Sequence, residues 1–156
     1  MTTIHHIAAV AANRTIGKNG SIPWDLPHDR ARFKSLTMGG ALVAGRKTAE
    51  TLPKMKGREL VVVGGGVSLD EAIKKASGLS DHVWIIGGER IYRETIHLAT
   101  DLLLTAVWGD YDGDAFYPVI PETFRLYEHF ADIFRFAPTD TGFGVCSTPY
   151  PRGWRQ

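Results

Sequence analysis

Asp29 is the residue best placed to do chemistry in this sequence. It closes the run Ile22-Pro23-Trp24-Asp25-Leu26-Pro27-His28-Asp29, which continues into Arg30-Ala31-Arg32-Phe33. Pro27 suits the first position of a helix, where its fixed φ is right and its missing N–H is not needed. Asp29 then falls in the first turn, where the helix dipole favours negative charge. Phe33 lies at i+4 and Leu36 at i+7, so the three are expected to share one face. A carboxylate set among apolar groups is costly unless it is paired, so a cation or a hydrogen-bond donor is expected to meet it. The plainer reading is a helix-start acid, solvated or paired with Arg30 or Arg32. What precedes the helix favours a site. Trp24 and two prolines form a stiff aromatic corner, after the polar, glycine-punctuated stretch Asn13-Arg14-Thr15-Ile16-Gly17-Lys18-Asn19-Gly20. A mobile loop leading to a rigid corner and a buried acid suits a lid over a pocket.

The elements that must position Asp29 read as alternating strands and helices. Strands are expected over His5–Ala12, Ala41–Ala44, Glu59–Val63, His82–Ile86 and Leu102–Val107. Helices are expected from Pro27, from Gly45-Arg46-Lys47-Thr48 to Leu52, from Ser68 to about Ser77, and from Arg90 to about Leu98. Ser68-Leu69-Asp70-Glu71 has the form of a capping box. Farther on, Phe124–Phe136 and Phe143–Thr148 read as two long strands with no helix between them, an antiparallel edge hairpin. The expectation is an α/β fold: a central, mostly parallel sheet flanked by helices, in one domain over residues 1–156.

Composition narrows the classes. The chain has 156 residues, 44% hydrophobic and 22% charged, which is ordinary for a soluble globular domain. A net charge of +1 gives no bulk attraction to nucleic acid or to an anionic membrane, so neither is expected as a partner. No apolar run is long enough to span a bilayer. Met1–Val10 lacks a basic start and reads as strand rather than signal peptide. The single cysteine, Cys146, excludes an internal disulfide and suits a reducing, cytoplasmic setting. It reads as a small core residue.

Three strand-to-helix junctions are rich in glycine or basic residues: Gly45-Arg46-Lys47-Thr48, Gly64-Gly65-Gly66 and Gly87-Gly88. Ligands of open parallel sheets bind at the carboxyl ends of the strands, where helix N-termini offer free N–H groups to phosphate. Arg46 and Lys47 add two cations there, enough to hold a phosphate monoester beside a pyrophosphate. None of the three matches G-x-G-x-x-G, so that dinucleotide fingerprint is absent. Each glycine pair alone is more often a tight turn.

Taken together these residues resemble the dihydrofolate reductase family, from about Ile7 to Pro118. The motifs are Ile16-Gly17, the Pro23-to-Asp29 run with Phe33-Lys34, Gly45-Arg46-Lys47-Thr48, Ile86-Gly87-Gly88-Glu89-Arg90-Ile91-Tyr92, Leu104-Thr105, and Gly113-Asp114 with Tyr117-Pro118. The resemblance implies reduction of 7,8-dihydrofolate by hydride transfer from NADPH. It also implies a monomer that binds antifolates such as methotrexate or trimethoprim. By the same resemblance Asp29 binds the pterin 2-amino group and N3, and Thr105 holds Asp29. Phe33 and Leu52 sandwich the pterin and benzoyl rings, and Arg58 pairs with the substrate α-carboxylate. The carbonyls of Ile7 and Ile86 meet the 4-amino position of inhibitors, with Ala8 beside them. Ile22, Trp24 and Tyr92 stand near the reacting atoms, Tyr92 by the nicotinamide and the Ile86 carbonyl.

On the cofactor side, the resemblance gives Arg46 and Lys47 the 2′-phosphate and Thr48 a pyrophosphate contact. Ala9, Ile16, Gly17, Gly45, Val63, Gly64, Gly87, Gly88, Glu89, Arg90 and Ile91 complete the implied cofactor set with Tyr92. Several positions depart from the family pattern. Only Gly64-Gly65-Gly66-Val67 stands where a longer segment is usual, and Gly64 and Gly65 replace serines that help hold the 2′-phosphate. The adenine side is thus expected to be open, with a weakened preference for NADPH over NADH. Ala49 replaces a common tryptophan. Glu89, where glycine or alanine is common, is expected to repel pyrophosphate, and Arg30 to alter the benzoyl site. Two alternatives stay open from sequence: a sister reductase, such as the pyrimidine reductase of riboflavin synthesis, or a non-catalytic folate- or nucleotide-binding protein.

Overall fold

The computed structural model describes residues 1–155. Nine strands are described: β1 (Thr3–Ala11), β2 (Thr15–Gly17), β3 (Ala41–Gly45), β4 (Glu59–Val63), β5 (His82–Gly87), β6 (Asp101–Val107), β7 (Ala115–Phe116), β8 (Phe124–Phe130) and β9 (Ile133–Pro138). The helices are α1 (Pro27–Thr37), α2 (Arg46–Glu50), α3 (Leu69–Leu79) and α4 (Glu89–Thr95), with 3-10 turns at Ile96–Leu98 and Arg152–Arg155. Seven strands form one sheet in the order β4-β3-β5-β1-β6-β9-β8, and β2 pairs with β7 in a small second sheet. β1 runs parallel to β5 and β6, and β3 runs parallel to β4 and β5. β9 is antiparallel to both β6 and β8. This is a mixed α/β domain with a mostly parallel sheet and an antiparallel edge hairpin.

Side-chain alternation along the strands divides the core in two. Val10, Val43, Val83, Ile85, Leu102, Leu104, Phe134 and Phe136 face one side, where α3, α4 and Trp154 cover them. Ile7, Leu42, Trp84 and Leu103 face the other, joined by half-buried Phe33, Met55, Ile86 and Ile133. Thr105 stands two residues beyond Leu103, so it shares that second face and points toward α1.

Local chemistry explains the element boundaries. Pro27 opens α1 with no side-chain cap, as its position in the sequence predicts. Ser68 and Glu71 make the reciprocal capping box of α3: Ser68 N–H donates to Glu71 Oε2 at 2.9 Å, and Glu71 N–H to Ser68 Oγ at 3.2 Å. Between β4 and α3 the chain turns through Gly64, Gly65 and Gly66 at φ 119°, 62° and 95°. Three successive positive φ values are open to glycine and costly for other residues, so this abbreviated link has to be a glycine run.

Three expectations are corrected. The edge hairpin lies entirely within 124–138, where Ala131 and Asp132 make its turn; a bend at Ala131, φ 55°, divides what reads as one long strand. Phe143–Thr148 is not a strand. Its only backbone tie to β8 is Cys146 N–H to the Leu126 carbonyl at 2.9 Å, and Phe143 and Val145 are exposed. Leu36 does not join Asp29 and Phe33: it is 40% exposed, and the buried residue on that stripe is Thr37. No helix among the described residues is long and apolar enough to cross a membrane.

Candidate functional site

A cleft of about 1920 Å³ runs between α1, the carboxyl ends of β1, β3 and β5, and the segment 16–24. Every residue named from the sequence for substrate or cofactor lines it. The sequence missed Met55, Lys54 and Lys56, which also line it, and saw Arg32 only as a pairing partner of Asp29, not as part of the lining. Met55 had a signal: one apolar residue in a loop of lysine, proline and glycine needs somewhere to bury. Here it packs, half-buried, against the cluster of Ile7, Leu42, Trp84 and Leu103.

Asp29 is placed by α1 and met by β6. Thr105 Oγ1 donates to Asp29 Oδ1 at 2.6 Å. Arg32, one turn along the helix, donates to the same oxygen from Nη2 at 3.2 Å. Among the described residues nothing hydrogen-bonds Oδ2. The Asp29 side chain is 23% exposed, so it is half-buried in the cleft wall rather than fully enclosed. Both readings of this acid are therefore realised together, a pairing with Arg32 and a donor on a buried strand.

Tyr92 hydroxyl donates to the Ile7 carbonyl at 2.7 Å, not to that of Ile86. Tyr92 lies in α4, which packs on β5 and β3, and its ring passes Gly87 so that the hydroxyl reaches the central strand β1. Burial raises the Tyr92 phenol far above its ordinary pKa, and the Asp29 charge adds to the effect. It is a fixed donor, not a proton exchanger.

Arg58 is held at the α1 end of the cleft. Its Nη1 donates to Thr37 Oγ1 at 3.3 Å, and the guanidinium lies 5.8 Å from the Phe33 ring centroid. That arrangement fixes a planar cation beside an apolar wall, suited to a carboxylate. Arg30 also lines the cleft, and its exposed guanidinium pairs with Asp25.

At the opposite end α2 and α4 begin with no side-chain caps, so their first N–H groups are free for a ligand. A Cβ on Gly88 would sit 3.3 Å from Thr48 Oγ1, and one on Gly45 would sit 3.3 Å from Ile91 Cγ1. Glycine keeps that mouth open where a bound pyrophosphate would lie. The Gly87–Gly88 peptide is cis. Arg46 is exposed and within 3.9 Å of Glu50, and Glu89 opens α4 at the same mouth. These residues fit a phosphorylated dinucleotide, with Glu89 as the one discordant charge.

The segment 13–20 is tied down rather than free. β2 pairs with β7, and Thr15 is fully buried. Asn13 Nδ2 donates to the Tyr111 carbonyl at 2.8 Å, and Asp114 Oδ2 accepts from Asn19 N–H at 3.0 Å. Ile22 is 64% exposed at the cleft mouth, and Trp24 packs edge-on to Tyr111 at 4.9 Å.

Comparison with known proteins agrees with this geometry. The family model described as dihydrofolate reductase matches residues 3–133. The chain is 38% identical over 136 residues to a dihydrofolate reductase of Neisseria meningitidis serogroup A, covering 79% of this chain and 83% of that one. It is 34% identical over 139 residues to the dihydrofolate reductase type 5 of Escherichia coli, covering 80% and 88%. With a Staphylococcus aureus dihydrofolate reductase it shares 34% over 134 residues, 81% and 83% of the two chains. By this match, the chain belongs to the dihydrofolate reductase family.

Proposed function

We propose that this chain reduces 7,8-dihydrofolate to 5,6,7,8-tetrahydrofolate with NADPH and a proton, through the following residue roles. The observation that carries the reading is Asp29, which lines the cleft and is held through Oδ1 by Thr105 at 2.6 Å, with Oδ2 left without a hydrogen-bond partner among the described residues. That edge can accept two hydrogen bonds from the pterin 2-amino group and N3. Phe33, Leu52 and Met55 flank the rings, and Arg58 receives the α-carboxylate. NADPH, when bound, supplies hydride to the pterin C6. Arg46 and Lys47 hold its 2′-phosphate, and the α2 and α4 openings hold its pyrophosphate.

Asp29 grips the side of the ring remote from N5, so it orients the pterin and biases its charge, while water delivers the proton to N5. The hydride step therefore slows as pH rises, with an apparent pKa belonging to the enzyme–substrate complex. Ile22 and Trp24 screen the reacting atoms from bulk solvent. A monomer in the cytoplasm is the assembly and setting this reading expects.

The test is loss of reduced-nicotinamide absorbance on mixing the protein with dihydrofolate and NADPH, repeated with NADH. Turnover abolished by methotrexate supports the reading. Binding of NADPH without turnover would turn it toward a sister reductase or a retained binding fold.

A further inference from the structure

Arg32 joins two carboxylates from distant parts of the chain. Its Nη2 donates to Asp29 Oδ1 at 3.2 Å. Its Nη1 and Nη2 donate to Asp132 Oδ1 and Oδ2 at 3.1 and 3.4 Å. Asp132 stands in the β8–β9 turn, and its backbone carbonyl accepts from Ala106 N–H at 2.8 Å, next to Thr105. His28 Nε2 lies 3.2 Å from Asp132 Oδ2. One guanidinium therefore ties the hairpin turn to the acid of the cleft.

Fold stability alone accounts poorly for this arrangement. Arg32 Nε is buried and has no partner among the described residues, an unmet donor that works against the folded state. A half-buried ion pair gives up hydration of both charges and returns little of it to stability. What the pair does supply is position. With Thr105 and Arg32 both on Oδ1, two donors restrain the carboxylate, and Oδ2 is left without a protein partner among the described residues.

We propose that Arg32, anchored by Asp132, is a positioning residue of the reaction. It fixes the rotamer of Asp29 and sets the local field in which the pterin takes up its proton. The inference rests on the reading of Asp29 given under Proposed function. Asp132 is fit for an anchor: although burial favours its neutral form, hydrogen bonds from Arg32 and His28 hold its carboxyl below the ordinary range. Likewise burial opposes the Arg32 charge, and hydrogen bonds with Asp132 and Asp29 outweigh that and raise its pKa. The groups around Asp29 are then Arg32 from its own helix, Thr105 from β6, Tyr92 from α4, and Asp132 with His28 behind Arg32.

The test is single-turnover hydride transfer between about pH 5 and 9 for the native chain, Arg32→Gln, Arg32→Lys and Asp132→Asn. Melting temperatures and KM for dihydrofolate are measured alongside. Loss of the cation leaves more negative field at the pterin, so Arg32→Gln moves the midpoint up by roughly half a unit or more. It also raises KM several-fold. Arg32→Lys keeps the charge but not the fork, so it restores the midpoint while KM stays high. Asp132→Asn removes a negative charge behind Arg32, so it moves the midpoint the opposite way, down and by less, while the loosened guanidinium raises KM for dihydrofolate as in Arg32→Gln. Profiles that superimpose on the native one in all three folded variants would overturn the proposal. A native chain that does not reduce dihydrofolate would overturn both this inference and the reading beneath it.

Discussion

Trp154 Nε1 donates to the carbonyl of Ala11 at 3.0 Å, so a residue far along the chain closes the end of the strand that carries Ile7. The indole is 1% exposed and lies edge-on to Phe134 at 5.6 Å. Trp154 backbone carbonyl accepts from Ile120 N–H at 2.8 Å, which pins the segment on both sides. Trp154→Ala therefore leaves a large cavity and an unpaired carbonyl. It is expected to cost about 3–5 kcal/mol in urea unfolding. A change below about 1 kcal/mol would show that the segment Pro149–Arg155 adds no core.

Asp29→Asn keeps the shape and the Thr105 hydrogen bond but removes the charge that biases the pterin. Turnover is expected to fall by at least about 100-fold. The melting temperature should move by only a few degrees, because the side chain is partly solvated. Activity that survives the change would reject the role given to Asp29.

Arg46 and Lys47 are the only basic residues in α2. Replacing both by alanine is expected to raise KM for NADPH by roughly tenfold or more, since charge-assisted bonds to phosphate are lost. KM for NADH should stay within about twofold. Equal effects on both cofactors would mean that neither side chain reads the 2′-phosphate.

Glu89 lies in the first turn of α4, where it helps the helix and opposes an anionic ligand. Glu89→Ala should lower KM for NADPH several-fold, most at low ionic strength. It should also cost up to about 1 kcal/mol of stability. An unchanged KM would place Glu89 clear of the cofactor.

His6 gives the fold a pH dependence of its own. It is fully buried, with Nδ1 2.8 Å from Tyr117 hydroxyl and Nε2 2.8 Å from Thr95 Oγ1. Burial lowers its pKa to about 3, against a smaller opposing effect from Asp101. The folded state thus resists a proton that the unfolded chain accepts. Stability contributed by neutral His6 is complete above about pH 6.5 and falls as pH drops toward 3. The loss amounts to roughly a few kcal/mol. His6→Gln should flatten that acid limb of a urea-stability profile; an unchanged slope would assign it to carboxylates.

The parallel core was legible because buried strands are apolar runs and their junctions carry glycine. Pro27 and the Ser68 box announced two helix starts, since local hydrogen bonding decides those positions. Thr105 was legible only through resemblance, for nothing near it in sequence marks it as a partner of Asp29. Arg32 was visible as a neighbour of Asp29, but its bridge to Asp132 needed the hairpin turn, a contact 100 residues away. The antiparallel edge hairpin was legible, but its bounds were misread because Ala131 and Asp132 lack a glycine signal for the turn. Phe143 and Val145 suggested a strand, but periodicity carries no information about whether a sheet edge is available.

Strand β1 lies at the middle of the sheet, yet both its neighbours, β5 and β6, are made much later. At roughly 5–20 residues per second, a ribosome exposes this apolar strand for several seconds before His82 emerges to pair with it. Chaperone dependence of the nascent chain should therefore end abruptly with the synthesis of β6, and the drug-binding cleft can first exist only when Thr105 has cleared the exit tunnel.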